Sequence, residues 1–402
     1  MFFKKSLGLG LALCQLIGKS SGTGSDGVQA YEKVQFSNVG FAGTYTPVKS
    51  LKNVDSSKCS CEVSGDVWFS GTNAPMSSGV SVHFRGPLKL HQFAYYTSSN
   101  FDVTSNSTSE SWSRLAYYDA SSQVGENVTF LTAAGDDSPC LGKALTYAAS
   151  NGTGSASSST LIASDTLLKS DEEFMIYSNI SCPSSSTKKG CGVYRKGIPA
   201  FYGFDGETKM FVFEFETPTE TQSNSSSFSY YDLPAIWLLN EQIARTSQYP
   251  TNSNCSCWAS GCGEFDIFEA MNGTEKNNFY STFHTFQGIE YLGTGIQADG
   301  YIPRSTSGTM KGGVVFDSSG NTVVFMSNNT AFDLSIDAGT LNGILSDFNS
   351  SASYQTKLAT ISATAPSTTS KSNALSIFER GHGLLRYYVF IAVTTFTQVF
   401  LF

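Results

Sequence analysis

Charged residues are scarce in this chain of 402 residues, since Asp, Glu, Lys and Arg together make up only 14%, against roughly 25% in a typical soluble domain. The net charge is −8, and there is no long run of Lys or Arg. Nucleic acid is therefore not an expected partner, because it binds to basic surfaces. Aromatic residues reach 13%, which favours a β-rich core, a sugar-binding cleft, or both.

Internal repeats are also missing, and no convincing amphipathic helix of more than three turns precedes the C-terminal tail. Short alternating runs are present instead. KMFVFEFE (209–216) places Phe at every second position opposite valine and glutamate, which is the period of a half-buried strand. Many such runs, separated by Gly, Asn and Ser, predict an all-β sandwich or jelly roll. The Ser/Thr-rich segment 97–185 is expected to form long loops around a few strands.

Both ends of the sequence resemble processing signals. Residues 1–20 carry two lysines followed by an apolar run that is too short to span a bilayer, which predicts a secretory signal peptide. The far end has small residues at 372–374, a spacer and a hydrophobic tail from 384, which is the layout of a GPI attachment signal over 373–402. The alternative for the tail is a membrane-spanning helix.

The expected domain organisation lies between these signals. A sandwich domain should cover 21–360, with an N-terminal strand segment at about 55–100 and a catalytic core at about 190–355. A Ser/Thr-rich stalk should follow at 361–372. Nine Asn-x-Ser/Thr sequons agree with passage through the secretory pathway.

Nine cysteines occur, and Cys14 would leave with the signal peptide. The remaining even number predicts four disulfides, for which 105 pairings are possible. A metal site in CSCWASGC (255–262) is the alternative, but a secreted location and the lack of paired histidines nearby argue against it. The eight cysteines are Cys59, Cys61, Cys140, Cys182, Cys191, Cys255, Cys257 and Cys262.

The stretch GCGEFDIFEAMNG (261–273) places Glu264, Asp266 and Glu269 within six residues. Because strand side chains alternate between faces, Glu264 and Asp266 share one face, whereas Glu269 would point to the other. A β-bulge at Ile267-Phe268 would bring Glu269 back to the first face. The Cα atoms of the two glutamates would then lie about 13 Å apart. Side chains leaning inward would reach the ~5–5.5 Å carboxyl spacing of a retaining glycosidase.

Clustered carboxylates suit the cleavage of a glycosidic bond. Glu264 would attack the anomeric carbon, and Glu269 would protonate the leaving oxygen and then activate water. Asp266 would hydrogen-bond Glu264 and tune its titration. This chemistry needs no cofactor and no metal. Two other interpretations are a calcium site, which usually takes backbone and loop oxygens, and a solvated strand face.

These residues resemble a known family. GEFDIFE is similar to the E-x-D-x-x-E signature of glycoside hydrolase family 16, the laminarinase group, and LPAIWLLN (233–240) precedes it as in that group. The longer stretch PAIWLLNEQIARTSQYP…CSCWASGCGEFDIFE resembles the fungal GPI-anchored cell-wall proteins described as circularly permuted β-1,3-glucanases. The resemblance covers most of 55–355. SVHFRGPLKLHQFAYY (81–96) resembles the strand that usually closes the fold at the C-terminus.

The resemblance implies a concanavalin-like, circularly permuted jelly roll with a glycan cleft across one sheet. Glu264, Asp266 and Glu269 would take the roles given above. Trp258, in a loop before the motif, and Trp237, which equally suits a core position, would line subsites by stacking on sugar rings. His284 matches the family's cleft histidine and would contact substrate; the alternative is a structural histidine of the sheet.

The expected function is that of a retaining endo-β-1,3-glucanase, secreted, GPI-anchored at the fungal cell surface and monomeric. One alternative is a transglycosylase that uses the same residues but passes the sugar to another sugar instead of water. The second alternative is a non-catalytic wall mannoprotein that binds glucan or spaces the wall. The acid triplet argues against a pure binding role, which has no use for three clustered carboxylates.

Overall fold

The structure is a computed structural model that describes residues 30, 32–105, 110–188, 190–346 and 355–364. The predicted signal peptide and the predicted attachment signal lie outside these residues, as does the stalk beyond residue 364. In this part of the chain, no helix is both long and apolar enough to cross a membrane.

The chain forms 25 short strands and two short α-helices within the described residues. The first strands are β1 (Lys33–Ser37), β2 (Gly43–Tyr45), β3 (Val48–Lys52), β4 (Ser60–Val63), β5 (Val67–Phe69), β6 (Val80–Arg85), β7 (Lys89–Thr97), β8 (Trp112–Asp119), β9 (Val124–Glu126), β10 (Thr129–Thr132), β11 (Asp137–Ser138), β12 (Gly142–Lys143), β13 (Thr146–Ala148), β14 (Ser155–Ala156) and β15 (Glu173–Tyr177). The remaining elements are β16 (Lys209–Glu216), β17 (Ala235–Asn240), α1 (Glu241–Thr246), β18 (Glu264–Glu269), β19 (Asn278–His284), β20 (Ile296–Gln297), β21 (Ile302–Pro303), β22 (Met310–Phe316), β23 (Thr322–Met326), β24 (Ser335–Ile336), α2 (Ala338–Ser346) and β25 (Gln355–Lys357).

Two large sheets dominate the molecule. The first has the order β24-β8-β7-β16-β22-β23-β1-β25, with β9 beside β8. The second has the order β14-β13-β10-β15-β6-β17-β18-β19-β20, with β21 beside β19. Three two-stranded ladders, β2-β5, β3-β4 and β11-β12, complete the set. The predicted all-β sandwich is confirmed.

The core between the two sheets is built by period-two alternation. Phe211, Phe213 and Phe215 of β16 are fully buried in one cluster with Phe84 of β6 and Phe265 of β18. The intervening Glu214 and Glu216 of β16 are only partly buried. The phenylalanines of β16 thus face the other sheet, as the alternation predicted. The predicted half-buried character holds only near Glu214 and Glu216, because Met210 and Val212 on the other face of β16 are buried as well.

The outer face of the first sheet carries a second apolar cluster. Leu341, Ile344 and Leu345 of α2 pack there with Tyr96 and Val212. The segment 97–185 contributes strands to both sheets, so it contains more regular structure than its Ser/Thr-rich composition suggested.

The two ends of the described fold meet in one sheet. Strand β1 pairs antiparallel with β23 on one side and parallel with β25 on the other, where Gln35 is opposite Gln355. Strand β6, from the N-terminal segment, lies between β15 and β17 in the second sheet. Residues from near the start of the chain thus lie one strand away from the acidic motif.

Candidate active site

Strand β18 carries the predicted bulge. Across from it, Trp237 pairs with Asp266 and Ile236 with Phe268, so Ile267 is the extra residue. The pairing with β19 is shifted at the same place. Phe265, Ile267 and Phe268 are fully buried between the sheets. The three acids therefore share the opposite, outer side of the second sheet, because the bulge corrects the parity of Glu269.

The neighbouring strands supply the rest of this outer side, which we refer to as the acidic face. Its members are the residues of β6, β17, β18 and β19 that alternate with core residues. They are Ser81, His83, Arg85, Ala235, Trp237, Leu239, Glu264, Asp266, Glu269, Tyr280, Thr282 and His284.

Glu264 is held from the loop that precedes it. The Nε1–H of Trp258 donates a hydrogen bond to Oε2 of Glu264. A disulfide between Cys257 and Cys262 closes this loop around Trp258. Trp258 was expected to line a sugar subsite, and the structure places its N–H group against the carboxylate of Glu264; its subsite role stays a prediction.

Asp266 is paired with His284 on the adjacent strand, not with Glu264 as expected. The Nε2 atom of His284 lies 2.9 Å from Oδ2 of Asp266, and Nδ1 contacts the carbonyl oxygen of Leu292. Both ring nitrogens face acceptors, so the geometry favours an imidazolium that donates two hydrogen bonds. The position opposite Glu264 in the sheet register explains why His284 reaches the acids.

Glu269 meets a cation from β6. Arg85 Nη2 lies 3.2 Å from Oε1 of Glu269, while its Nε–H donates to the carbonyl oxygen of Leu233 at 2.9 Å. The guanidinium also stacks 4.0 Å above the ring of Tyr230. The Arg85 side chain is 6% exposed and that of Glu269 22%, so the pair lies mostly out of solvent.

Glu264 and Glu269 of the acidic face have raised pKa values. Burial, and then the charge of Asp266, raise the pKa of Glu264 to about 8. The same two causes raise the pKa of Glu269 to about 7, against the opposing effect of Arg85. Burial disfavours the charged form of His284, but Asp266 and Glu264 outweigh it and raise the pKa of the imidazole to about 10. Near neutral pH the cluster therefore keeps at least one carboxyl proton.

Trp237 belongs to the floor of the face. It is only 4% exposed, and its ring packs at 5.1 Å, between ring centroids, on that of His83. His83 is fully buried, donates to or accepts from Ser81 at 2.8 Å, and has its pKa lowered to about 3 by burial, so it is neutral. The core alternative for Trp237 therefore describes its packing better than an exposed stacking platform does.

Four residues near the acids were not among the predicted site residues. They are Arg85, Glu173, Tyr230 and Tyr249. Glu173 of β15 is opposite Arg85 in the register. Burial raises the pKa of Glu173 to about 7, and its carboxylate accepts a hydrogen bond from the hydroxyl of Tyr249 at 2.9 Å. Tyr230 and Tyr249 are 39% and 59% exposed. The alternation in SVHFR, which gives Arg85 the parity of Ser81 and His83, was the available signal.

Disulfides connect the loop between β17 and β18 to distant segments. Cys61 of β4 pairs with Cys255, and Cys59 pairs with Cys140. The prediction that CSC and CSCWASGC are oxidised is confirmed. All eight cysteines are paired, the remaining bridge joining Cys182 to Cys191.

The fold and this face together define a two-sheet β-sandwich with a carboxylate cluster on the outer side of one sheet. The chain belongs to the family of cell wall proteins YJL171C/Tos1: the C-terminal family model matches residues 110–344 and the N-terminal model matches 32–98. No solved structure matches the chain.

Three yeast proteins illustrate the similarity of this chain to curated proteins. It is 62% identical to "Probable circularly permuted 1,3-beta-glucanase YJL171C" of Saccharomyces cerevisiae, over 94% of this chain and 95% of that one. It is 53% identical to "Probable circularly permuted 1,3-beta-glucanase PGA52" of Candida albicans, over 86% and 89%. It is 30% identical to "Probable circularly permuted 1,3-beta-glucanase TOS1" of S. cerevisiae, over 80% and 91%. The resemblance to the fungal cell-wall proteins described as circularly permuted β-1,3-glucanases is confirmed.

Proposed function

We propose that this protein is a cell wall β-1,3-glucanase that cleaves its substrate by double displacement with retention of configuration. The observation that carries the proposal is the bulge at Ile267, which brings Glu264, Asp266 and Glu269 to one face. The names of the similar yeast proteins support the reaction and the substrate class.

In this proposal Glu264 is the nucleophile. Its carboxylate accepts the Trp258 N–H bond, which orients one oxygen and leaves the other for the anomeric carbon. Glu269 donates a proton to the leaving oxygen and then withdraws one from the incoming water. A pKa near 7 suits a group that must both give and take a proton close to neutral pH.

The net charge of the acidic face depends on its three carboxyls and two basic residues. The acids and their two basic partners, His284 and Arg85, sum to one negative charge when all three carboxyls are ionised. A single proton makes the cluster neutral. Because neighbouring carboxyls titrate in shared steps, the working form would be the one-proton form in which Glu269 carries the proton and Glu264 is ionised. The pKa of Glu264, about 8 against about 7 for Glu269, favours the opposite placement of that proton, so bound substrate has to shift it to Glu269.

The roles are tested with Glu264→Gln and Glu269→Gln. Both variants should lose cleavage of unactivated β-1,3-glucan. Glu269→Gln should retain turnover of an aryl β-glucoside, whose good leaving group needs little protonation, while Glu264→Gln should not. The measurements are reducing-end release and aryl release.

A matched control is Glu214→Gln in the first sheet, where the side chain is 18% exposed and paired with Lys311. It should cleave glucan at the wild-type rate. If Glu264→Gln keeps aryl turnover and Glu269→Gln loses it, the two roles are exchanged. If both variants cleave glucan normally, the acids are structural.

Product analysis on β-1,3-linked oligosaccharides tests linkage and acceptor together. Retention predicts that the newly formed reducing end first appears as the β-anomer by proton NMR. Shorter oligosaccharides alone indicate transfer to water, whereas products longer than the starting chain indicate transfer to a second sugar. Absence of any product with the wild-type protein would favour a non-catalytic wall protein.

We also propose that the protein is secreted, monomeric and GPI-anchored at the cell surface. The sequence patterns at 1–20 and 373–402 support the two processing steps, and membership of a cell wall protein family supports the location. Mass spectrometry of surface-extracted protein should find no peptides from 384–402. Their recovery would overturn the anchor.

A further inference from the structure

Arg85 reaches the acidic face from a segment far away in the sequence. It lies at the end of β6, 184 positions before Glu269, and its side chain is almost entirely shielded from solvent. A buried guanidinium is costly unless its donors are satisfied. Here Nε donates to the Leu233 carbonyl oxygen and Nη2 donates to Glu269. The face of the guanidinium stacks on the ring of Tyr230.

This arrangement restricts how Glu269 can move. The Leu233 carbonyl and the Tyr230 ring fix the plane of the guanidinium, and the guanidinium in turn holds one oxygen of Glu269. Among the described residues only Oε1 is bonded, so the second oxygen of the carboxyl is left for another partner. In the part of the chain that the structure describes, Arg85 is the only ion-pair partner of Glu269.

The charges around Glu269 come from both sides of its strand. Asp266 of the same strand disfavours the ionised carboxyl, while His284 of β19 favours it. Tyr280, directly opposite on β19, gives its hydroxyl to Glu275. Strand β17 places the uncharged Ala235 opposite. Glu264 of the same strand adds a further negative charge, and Arg85 also faces Glu173 of β15. Arg85 is the cation in direct contact with the acid that has to alternate between protonated and ionised forms.

We propose that Arg85 is a positioning residue of the catalytic centre, whose guanidinium orients the Glu269 carboxyl and stabilises its ionised form. The inference rests on the proposed function, because it is the acid–base role of Glu269 that makes orientation and proton release matter. Without Arg85, Glu269 would hold its proton too firmly to act as the base in the second half of the reaction.

The test compares Arg85→Met, which keeps the apolar stem and removes the charge, with Arg85→Lys, which keeps the charge and loses the planar fork. In Arg85→Met the alkaline limb of the pH–rate profile should move upward by about 1–3 pH units, as expected when an opposite charge at this distance is lost. Its kcat should fall by roughly 10- to 100-fold through misplacement of the acid, while KM changes little. Arg85→Lys should restore the limb to within about half a pH unit of the wild type, with kcat still reduced.

Arg114 offers a matched control in the other sheet. It is also paired with a glutamate, Glu126, at 3.2 Å, bonded to a backbone carbonyl, that of Phe332, and stacked 4.0 Å above a tyrosine, Tyr117. Arg114→Met should lower the melting temperature without moving the pH profile. A pH profile of Arg85→Met that matches that of the control would overturn the proposal. A wild-type kcat in Arg85→Lys would overturn it as well. If Arg85→Met does not fold, the kcat of Arg85→Lys serves as the test.

A substrate-free measurement separates this inference from the proposed function. Carboxyl ¹³C NMR of glutamate-labelled protein, with the Glu269 signal assigned by its absence in Glu269→Gln, should show a higher midpoint in Arg85→Met than in the wild type. If glucan is not cleaved by the wild type but this shift is seen, the proposed reaction fails and the coupling stands. An unchanged midpoint overturns the coupling whatever the activity.

Discussion

At the scale of single residues, the carboxyls proposed to perform the reaction are unfavourable for the stability of the fold. Three carboxyls lie together on one strand, and burial disfavours the ionised forms of Glu264 and Glu269. The raised pKa values of Glu264 and Glu269 express that conflict. Neutral replacements should therefore be tolerated by the fold, although they remove the proposed reaction.

The first prediction concerns stability against pH. The folded-state pKa values of Glu264, Glu269 and His284 all lie above their ordinary values of 4.5, 4.5 and 6.5. Each group stabilises the fold fully below its ordinary pKa, and this contribution is lost as pH rises through about 7–8 for the glutamates and about 10 for the histidine. Together these three groups should lower the melting temperature between pH 5 and pH 9, against an opposing gain above about pH 7 from the buried Lys209, whose pKa is lowered by burial to about 7.

Glu264→Gln isolates the contribution of one acid to that slope. Its melting temperature should equal that of the wild type at pH 4.5 and exceed it at pH 8 by a few degrees, since ~1 kcal/mol corresponds to about 2–4 °C in domains of 150–250 residues. Calorimetric scans at the two pH values provide the measurement. A variant that melts well below the wild type at both would show that the carboxylate supports the fold.

Residue-level reasoning from the sequence was most successful where the signal was local. The parity of Glu264, Asp266 and Glu269 along one strand was enough to predict the bulge. The partners of these acids were less accessible, because Arg85 lies on a strand that the sequence could not place beside β17. The hydrogen bond expected from Asp266 to Glu264 was wrong for the same reason, since His284 comes from a neighbouring strand.

At the scale of elements, the loop between β19 and β20 positions His284. Gly295 in this loop has φ +66°, and an added Cβ there would lie 2.3 Å from Cγ2 of Thr282 and 2.9 Å from Cε1 of His284. Gly308 has φ +84°, and an added Cβ there would have no other heavy atom within 4 Å. The two glycines therefore have similar backbone strain on substitution but different contacts.

The element-scale prediction follows from this difference. Gly295→Ala should displace His284 and lower kcat/KM on glucan by about tenfold, while Gly308→Ala should leave it unchanged. Both variants should lose on the order of 1 kcal/mol of stability through the left-handed backbone. Kinetics and thermal melts of the pair are the measurement. Equal activity in the two variants would show that contact with Gly295 does not hold His284 in place.

Strands and helices could be predicted from the sequence where the hydrophobic residues recur with a clear period. The strands with clean alternation, such as β16, were found, and the described residues contain no helix of more than three turns. Helix α2 was not anticipated, because its sequence AGTLNGILS contains two glycines, which weaken helical propensity. Its apolar residues pack against the outer face of the first sheet, and the sequence alone does not show that this face is apolar.

At the scale of the whole molecule, the disulfides stabilise very different lengths of chain. Cys61 and Cys255 are 194 positions apart, whereas Cys182 and Cys191 are 9 apart. In the chain-entropy description a longer loop gives more stabilisation, and this difference in length corresponds to up to about 2–3 kcal/mol. The long bridge also anchors the loop that carries Trp258.

The corresponding prediction compares two double variants. Cys61→Ser with Cys255→Ser should lower the melting temperature more than Cys182→Ser with Cys191→Ser. It should also reduce activity, because Trp258 would lose its support against Glu264. Calorimetry and glucan cleavage of both variants give the result. A larger loss of stability from the short bridge would show that local packing, not chain length, dominates.

The cysteine pairing determines how the fold responds to a cut in its backbone. Cys61 and Cys140 are bonded to Cys255 and Cys59, so any single cut of the backbone between residues 61 and 255 leaves two pieces that are still joined by at least one bridge. β6 and β17, which border the acids, would then belong to one covalent assembly even when a loop between them has been nicked. The molecule can thus lose the continuity of its backbone over nearly half its length without shedding a fragment.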